Sequence, residues 1–154
     1  MYTVDNFING KSDSTSSKSS KIINPSYGED IGEVLYASKE SANTAINAAS
    51  EAFKTWSKTG MSNRAELILK FRQGVIDKST EIVDICIKEA GKTKPDAEAE
   101  LDRAIQALTH ASGIQHFYPA HISRNVAGNI DIADLRYPIG VVAGVVPFNF
   151  PILI

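Results

Sequence analysis

The chain has a single cysteine, Cys86, in 154 residues. One cysteine makes no internal disulfide, which suits a reducing compartment. No apolar run approaches the roughly 20 residues that cross a bilayer. The N-terminus has no basic segment followed by an apolar one, so no secretory signal is visible and a cytoplasmic protein is expected. The net charge of −2 comes without a basic block, which argues against nucleic acid as a partner. Neither Gly-x-Gly-x-x-Gly nor a Walker loop occurs, so a phosphate cradle of either kind is excluded. His110, His116 and His121 are the only histidines, and their spacing fits no common zinc pattern. No metal site is expected, and no internal repeat is evident.

What is present is ordinary for one globular domain: 43% hydrophobic and 22% charged residues, with length enough for a core. Phe7-Ile8-Asn9-Gly10 places the strongest two-residue hairpin signal after apolar residues. Residues 12–20 are nearly all serine, threonine and lysine and predict a solvated turn or loop. Lys21-Ile22-Ile23 resumes as a strand and stops at Asn24-Pro25, and residues 31–36 predict another, punctuated by Gly28 and Gly32.

Helices follow. Ser38 is a capping residue, and Ala42, Ala45, Ile46, Ala49, Ala52, Phe53 and Trp56 make one apolar stripe, ended by Gly60. Asn63 and Glu66 predict a capping box for a second helix with Leu67, Ile68, Phe71 and Val75 as its stripe. Ser79 or Thr80 opens a third, bearing Ile82, Ile85 and Cys86, and Gly91 closes it in a left-handed conformation. Cys86 lies between two isoleucines, with Asp84 and Glu89 near it, so it is read as a buried structural thiol and not as a nucleophile. Pro95 starts a fourth helix that Tyr118-Pro119 ends. Asp96, Glu98 and Glu100 crowd its first turns, where the positive end of the dipole favours carboxylates, and Glu98 and Glu100, with Asp102, suit that role and solvent better than an acid/base pair, with Glu100 and Arg103 free to pair. Beyond it, 126–132 reads as two short strands around a Gly128-Asn129 turn, an edge hairpin of the kind that finds partners.

The chain is organised around 136–151. Residues 141–146 are an unbroken apolar run with β-branched side chains, the pattern of a strand buried on both faces in a parallel sheet. Gly140 and Gly144 suggest close backbone approach there. Pro147 ends the strand, Asn149 follows between Phe148 and Phe150, and Pro151 starts a helix. Strand, tight turn, helix is where open α/β sheets place ligands. The NH2 of Asn149 can donate there to a developing oxyanion.

Pro147-Phe148-Asn149-Phe150-Pro151, preceded by Pro138-Ile139-Gly140-Val141-Val142, closely resembles the aldehyde dehydrogenase superfamily. Phe before the Asn, after Val-Ala-Gly-Val-Val, is most like its methylmalonate-semialdehyde dehydrogenase branch, which is CoA-acylating. Ala48-Ala49, Ala52-Phe53, Trp56, Arg64-Ala65-Glu66, Glu89-x-Gly91-Lys92 and 98–103 extend the resemblance over the whole chain. It implies an α/β fold, the N-terminal portion of the aldehyde dehydrogenase architecture. Residues 1–121 would be strands and helices of the cofactor-binding domain. Residues 122–135 would be the oligomerisation hairpin, and 136–154 the first strand of a Rossmann-like sheet with the start of the next helix.

The implied chemistry is oxidation of a small aldehyde by thiolate attack, hydride transfer to NAD or NADP, and acyl release to coenzyme A or water. Asn149 would be the catalytic oxyanion donor, a contact whose loss typically costs about 2.7–4 kcal/mol of barrier. Val146, Pro147 and Phe148 would line the cofactor's path. A homo-oligomer, tetramer or dimer, is implied for the full-length form. The family's nucleophilic cysteine, general-base glutamate region and later nucleotide turn have no counterpart in these 154 residues. A truncated reading frame or the start of a longer enzyme is therefore expected, inactive as a segment. Two alternatives stand beside this reading: a hydrolytic succinate- or lactaldehyde-type dehydrogenase, and a non-catalytic remnant or helical interaction module.

Overall fold

A computed structural model describes residues 1–15, 18–117 and 119–154. The chain is α/β, with its strands at the two ends and its helices between them. β1 (Tyr2–Val4) pairs parallel to β5 (Glu29–Leu35), and β4 (Ser19–Asn24) pairs antiparallel on the other side of β5. β2 (Asn6–Ile8) and β3 (Lys11–Asp13) form a separate hairpin with Ile8 opposite Lys11. Its two turn residues, Asn9 and Gly10, both have positive φ, as the expected tight turn demands. The serine-rich loop is shorter than predicted, because β3 takes residues up to Asp13 and β4 begins at Ser19; Ser16 and Ser17 lie outside the described residues.

α1 (Lys39–Trp56) is capped by Ser38, whose hydroxyl accepts the Ser41 N–H at 3.0 Å. Arg64 closes its other end, donating to the carbonyls of Trp56 and Thr59 at 2.8 and 3.0 Å while its guanidinium stacks over the Trp56 ring. The stripe of α1 is not core: Ile46 and Trp56 are exposed, and Ser41 is its one buried residue. The element it packs on is the small β2, too narrow to cover five turns of helix.

α2 (Met61–Asp77) starts directly after Gly60 with no side-chain cap, so Asn63 lies inside the helix and no capping box forms. Its inward face is Ala65, Ile68 and Val75, while Leu67 and Phe71 point outward. α3 (Ser79–Ala90) ends on Gly91 at φ 64°, as expected. α4 (Lys94–Ser112) is capped by Thr93, with Pro95 in its first turn. It stops at Gly113 and a short α5 (Ile114–Phe117) continues the path, so α4 ends before the predicted stop; Tyr118 lies outside the described residues.

The core sits between α3 and α4. Val83, Cys86, Ala97 and Leu101 form it, with Val75 from α2, Ile105 and the distant Ile152 packed against them. Cys86 is buried as expected, 4% exposed.

β6 (Ile122–Ser123) and β7 (Ile132–Ala133) pair antiparallel. The predicted hairpin is there, but its paired rungs lie outside 126–131. Ile130 N–H donates to the Ala127 carbonyl around Gly128 and Asn129, both at positive φ. Residues 141–146 correct the expectation of a strand: they run without strand pairing. A strand exists through ladder bonds to neighbours, and no described strand lies beside this one. Its side chains stay open, Val145 fully exposed. Nothing within 4 Å would meet a Cβ at Gly140 or Gly144, so the expected close approach is absent among the described residues.

Candidate active site

Residues 150–154 form one helical turn, in which the Ile154 N–H donates to the Phe150 carbonyl at 3.2 Å. Pro151 stands at its first position, where a missing N–H costs nothing. The next two N–H groups, those of Ile152 and Leu153, both donate to Oε1 of Glu100, at 2.8 and 3.1 Å. The other carboxylate oxygen, Oε2, accepts from Lys92 Nζ at 2.5 Å. That ammonium lies 4.6 Å from the centroid of the Phe150 ring, and the Arg103 guanidinium reaches the same ring at 6.0 Å. Glu100 is thus a carboxylate in α4 that caps a turn 52 residues further along the chain.

This overturns the expectation of a solvated, dipole-serving Glu100, which is only 1% exposed. The expected pairing with Arg103 is also absent: Arg103 donates instead to the carbonyl of Ala99. The reason is satisfaction. A buried carboxylate needs several strong donors, and Lys92 with two backbone N–H groups supplies them, which a single exposed arginine does not. Burial pushes the Glu100 carboxyl up, but hydrogen bonds from Lys92, Ile152 and Leu153 and the Lys92 charge outweigh it and hold it below the usual range.

Val146, Pro147, Phe148 and Asn149 line one open cavity of about 1090 Å³. The wall facing them is α3, through Ile82, Ile85, Cys86, Glu89 and Ala90, with Pro25 and Lys92 at its edges. The structure therefore brings all four sequence-nominated residues together. The Asn149 side chain is exposed and, among the described residues, its carboxamide bonds no protein group, so both of its N–H donors face solvent and can be offered to a ligand. Phe148 is 92% exposed. Cys86 contributes to the same cavity, yet burial raises its thiol pKa, the Glu100 charge adds to that, Lys92 opposes it, and Glu89 adds again. A thiol held protonated is a poor nucleophile, in line with its structural role. Among the described residues, no group of three His, Cys, Asp or Glu side chains could hold a metal ion. Among the described residues, no helix is long and apolar enough to cross a membrane.

Sequence reasoning missed Lys92 and Glu100 as partners of the Asn149 turn. Lys92 stands outside any helix, and nothing in local spacing links either residue to Ile152.

The family model for aldehyde dehydrogenases matches residues 12–154. This chain belongs to the aldehyde dehydrogenase family. Within the family it is similar to the malonate-semialdehyde dehydrogenase of Bacillus cereus, 39% identical over 152 residues, which cover 98% of this chain and 31% of that protein. Two solved structures superimpose closely. The methylmalonate-semialdehyde dehydrogenase of Oceanimonas doudoroffii is 35% identical with a TM-score of 0.94, covering 99% of this chain and 31% of that one. A Sinorhizobium meliloti protein assigned as methylmalonate-semialdehyde dehydrogenase, solved with NAD, is 34% identical with a TM-score of 0.93 over the same shares. The chain thus spans about a third of the length of the family members it matches.

Proposed function

We propose that this chain forms the N-terminal part of an NAD-dependent semialdehyde dehydrogenase of the malonate or methylmalonate type. The observation that carries the reading is an unpartnered carboxamide, Asn149, on the rim of an apolar cavity at the tip of an extended segment. Attack on an aldehyde turns its carbonyl oxygen into an oxyanion. A donor held beside the reacting carbonyl, with only solvent and no protein acceptor to leave, stabilises that charge. Asn149 is such a donor.

The cavity also suits a dinucleotide's nicotinamide end. The apolar Val146-Pro147-Phe148 segment lines one side of it, and its volume is that of a ligand-sized site. NAD, the cofactor solved with the Sinorhizobium relative, would supply the hydride acceptor there. Coenzyme A as acyl acceptor and a semialdehyde as substrate follow from the branch this chain resembles. Residues 1–121 are read as part of the cofactor domain, 136–154 as an extended segment and turn that would join its sheet only beside strands of a longer chain, and 122–135 as the contact between subunits of a homo-oligomer. The single buried thiol suits a cytoplasmic enzyme. The stand-alone helical module is disfavoured, because Val145 and Phe148 would sit bare in water on an unpaired backbone.

The test is a chimera in which residues 1–154 replace the matching N-terminal segment of the Bacillus cereus relative. NADH formation from malonate or methylmalonate semialdehyde at a rate near that of the parent supports the reading. A folded chimera without turnover contradicts it.

A further inference from the structure

We propose that Glu100, backed by Lys92, is a positioning residue for Asn149, capping the turn that begins directly after it and so fixing where its carboxamide is presented. The inference rests on the reading of Asn149 as the oxyanion donor and adds the device that places it.

The Phe150 carbonyl accepts the Ile154 N–H, so Phe150 is the cap residue of the turn and Asn149 stands directly before it. Phe150 has no side-chain oxygen to offer the turn's free N–H groups. Glu100 Oε1 accepts both of them, that of Ile152 at 2.8 Å and that of Leu153 at 3.1 Å. Two residues beyond Asn149 is Pro151, which has no N–H for the asparagine's own side-chain oxygen to accept. Glu100 therefore supplies the cap that the turn's own residues lack, and the capped turn fixes where the backbone of Asn149 enters it.

The carboxylate is itself fixed. Glu100 is buried on α4, and its second oxygen is held by Lys92, whose ammonium also rests over the Phe150 ring next to Asn149. Ile152 packs into the α3–α4 core, so the turn is gripped both by its backbone and by its side chain. The chain of contact runs Lys92, Glu100, Ile152 N–H, Asn149, with each link at hydrogen-bond distance or one turn of backbone.

The experiment is a double-mutant cycle in the chimera, with amide exchange measured on the 154-residue chain. Glu100→Leu keeps the volume and removes the acceptor; kcat is expected to fall about 10- to 100-fold, less than or equal to the loss for Asn149→Ala, with the KM for NAD within about twofold. In an Asn149→Ala background, Glu100→Leu is expected to change nothing further, because its effect passes through the carboxamide. Lys92→Met with Glu100→Gln keeps the accepting carbonyl without an unpaired cation and is expected to restore most of kcat. In the isolated chain, Leu153 N–H exchange is expected to speed up in Glu100→Leu and not in the Lys92→Met/Glu100→Gln pair. An equal fall in kcat in both backgrounds, or no fall in either, overturns the proposal and leaves the role of Asn149 standing. A fully active Asn149→Ala protein overturns the reading of the site and this inference with it. Should the chimera give no turnover, unchanged Leu153 exchange in Glu100→Leu overturns the positioning role.

Discussion

The phenol of Tyr2 in β1 donates a hydrogen bond to the carboxylate of Glu89 in α3, joining the first strand of the chain to the helix that walls the cavity. Burial, the hydrogen bond to Glu89 and the Glu89 charge together push the Tyr2 pKa up to about 12 from an ordinary 10.0. The folded state thus favours the protonated phenol more than the unfolded chain does. Its contribution is complete below pH 10 and is lost as pH rises towards 12. Tyr2→Phe is expected to flatten this alkaline fall in stability, measured by urea denaturation between neutral and high pH.

Glu100 gives the opposite limb. Its folded pKa lies below the ordinary 4.5, so the unfolded chain takes up its proton first as pH falls. The stability it contributes is present above 4.5 and drains away as pH drops through the depressed value. Acid unfolding monitored by circular dichroism is expected to begin at higher pH in the wild-type chain than in Lys92→Met/Glu100→Leu, where the pair is replaced by apolar groups. At neutral pH, Glu100→Ala alone is expected to cost about 3 kcal/mol, because it strands a partly buried ammonium.

Gly91 is where α3 must stop. Its φ of 64° is left-handed, and a Cβ built on it would lie 2.8 Å from Cγ of Pro25. Gly91→Ala is expected to destabilise by at least about 1–2 kcal/mol from the backbone alone, with the Pro25 contact adding to it. The cavity edge formed by Pro25 should shift with it, a change visible in the amide shifts of the β4–β5 turn.

Cys86 packs against Val83, Ala97 and Leu101. Thiol reagents are expected to label it only as fast as the chain unfolds. Cys86→Ser would bury a hydroxyl and is expected to cost about 1–3 kcal/mol in denaturant titration, whereas a reactive thiol would be labelled at once in the native state.

Much of this was legible in the sequence where the signal is local. The Asn9-Gly10 turn, the Ser38 cap, the Gly91 stop and the burial of Cys86 each follow from a residue's own chemistry within a few positions, and each stands in the structure. The 147–151 motif likewise placed Asn149 beside a cavity. Non-local facts were not legible. Glu98, Glu100 and Asp102 look alike along the helix, yet Glu100 alone faces Lys92 and the later turn. Apolar stripes told which faces of α1 and α2 are sticky, but not whether anything covers them: Ile46, Leu67 and Phe71 remain open. The 141–146 run reads as a strand because its composition suits a buried one, yet composition cannot supply the neighbours that make a ladder.

If the carboxamide of Asn149 steadies negative charge on a carbonyl oxygen, its removal must slow turnover. In steady-state kinetics of the chimera, Asn149→Ala is expected to lower kcat about 100- to 1000-fold with little change in the KM for NAD; a kcat within twofold of that of the unmutated chimera would rule the oxyanion role out.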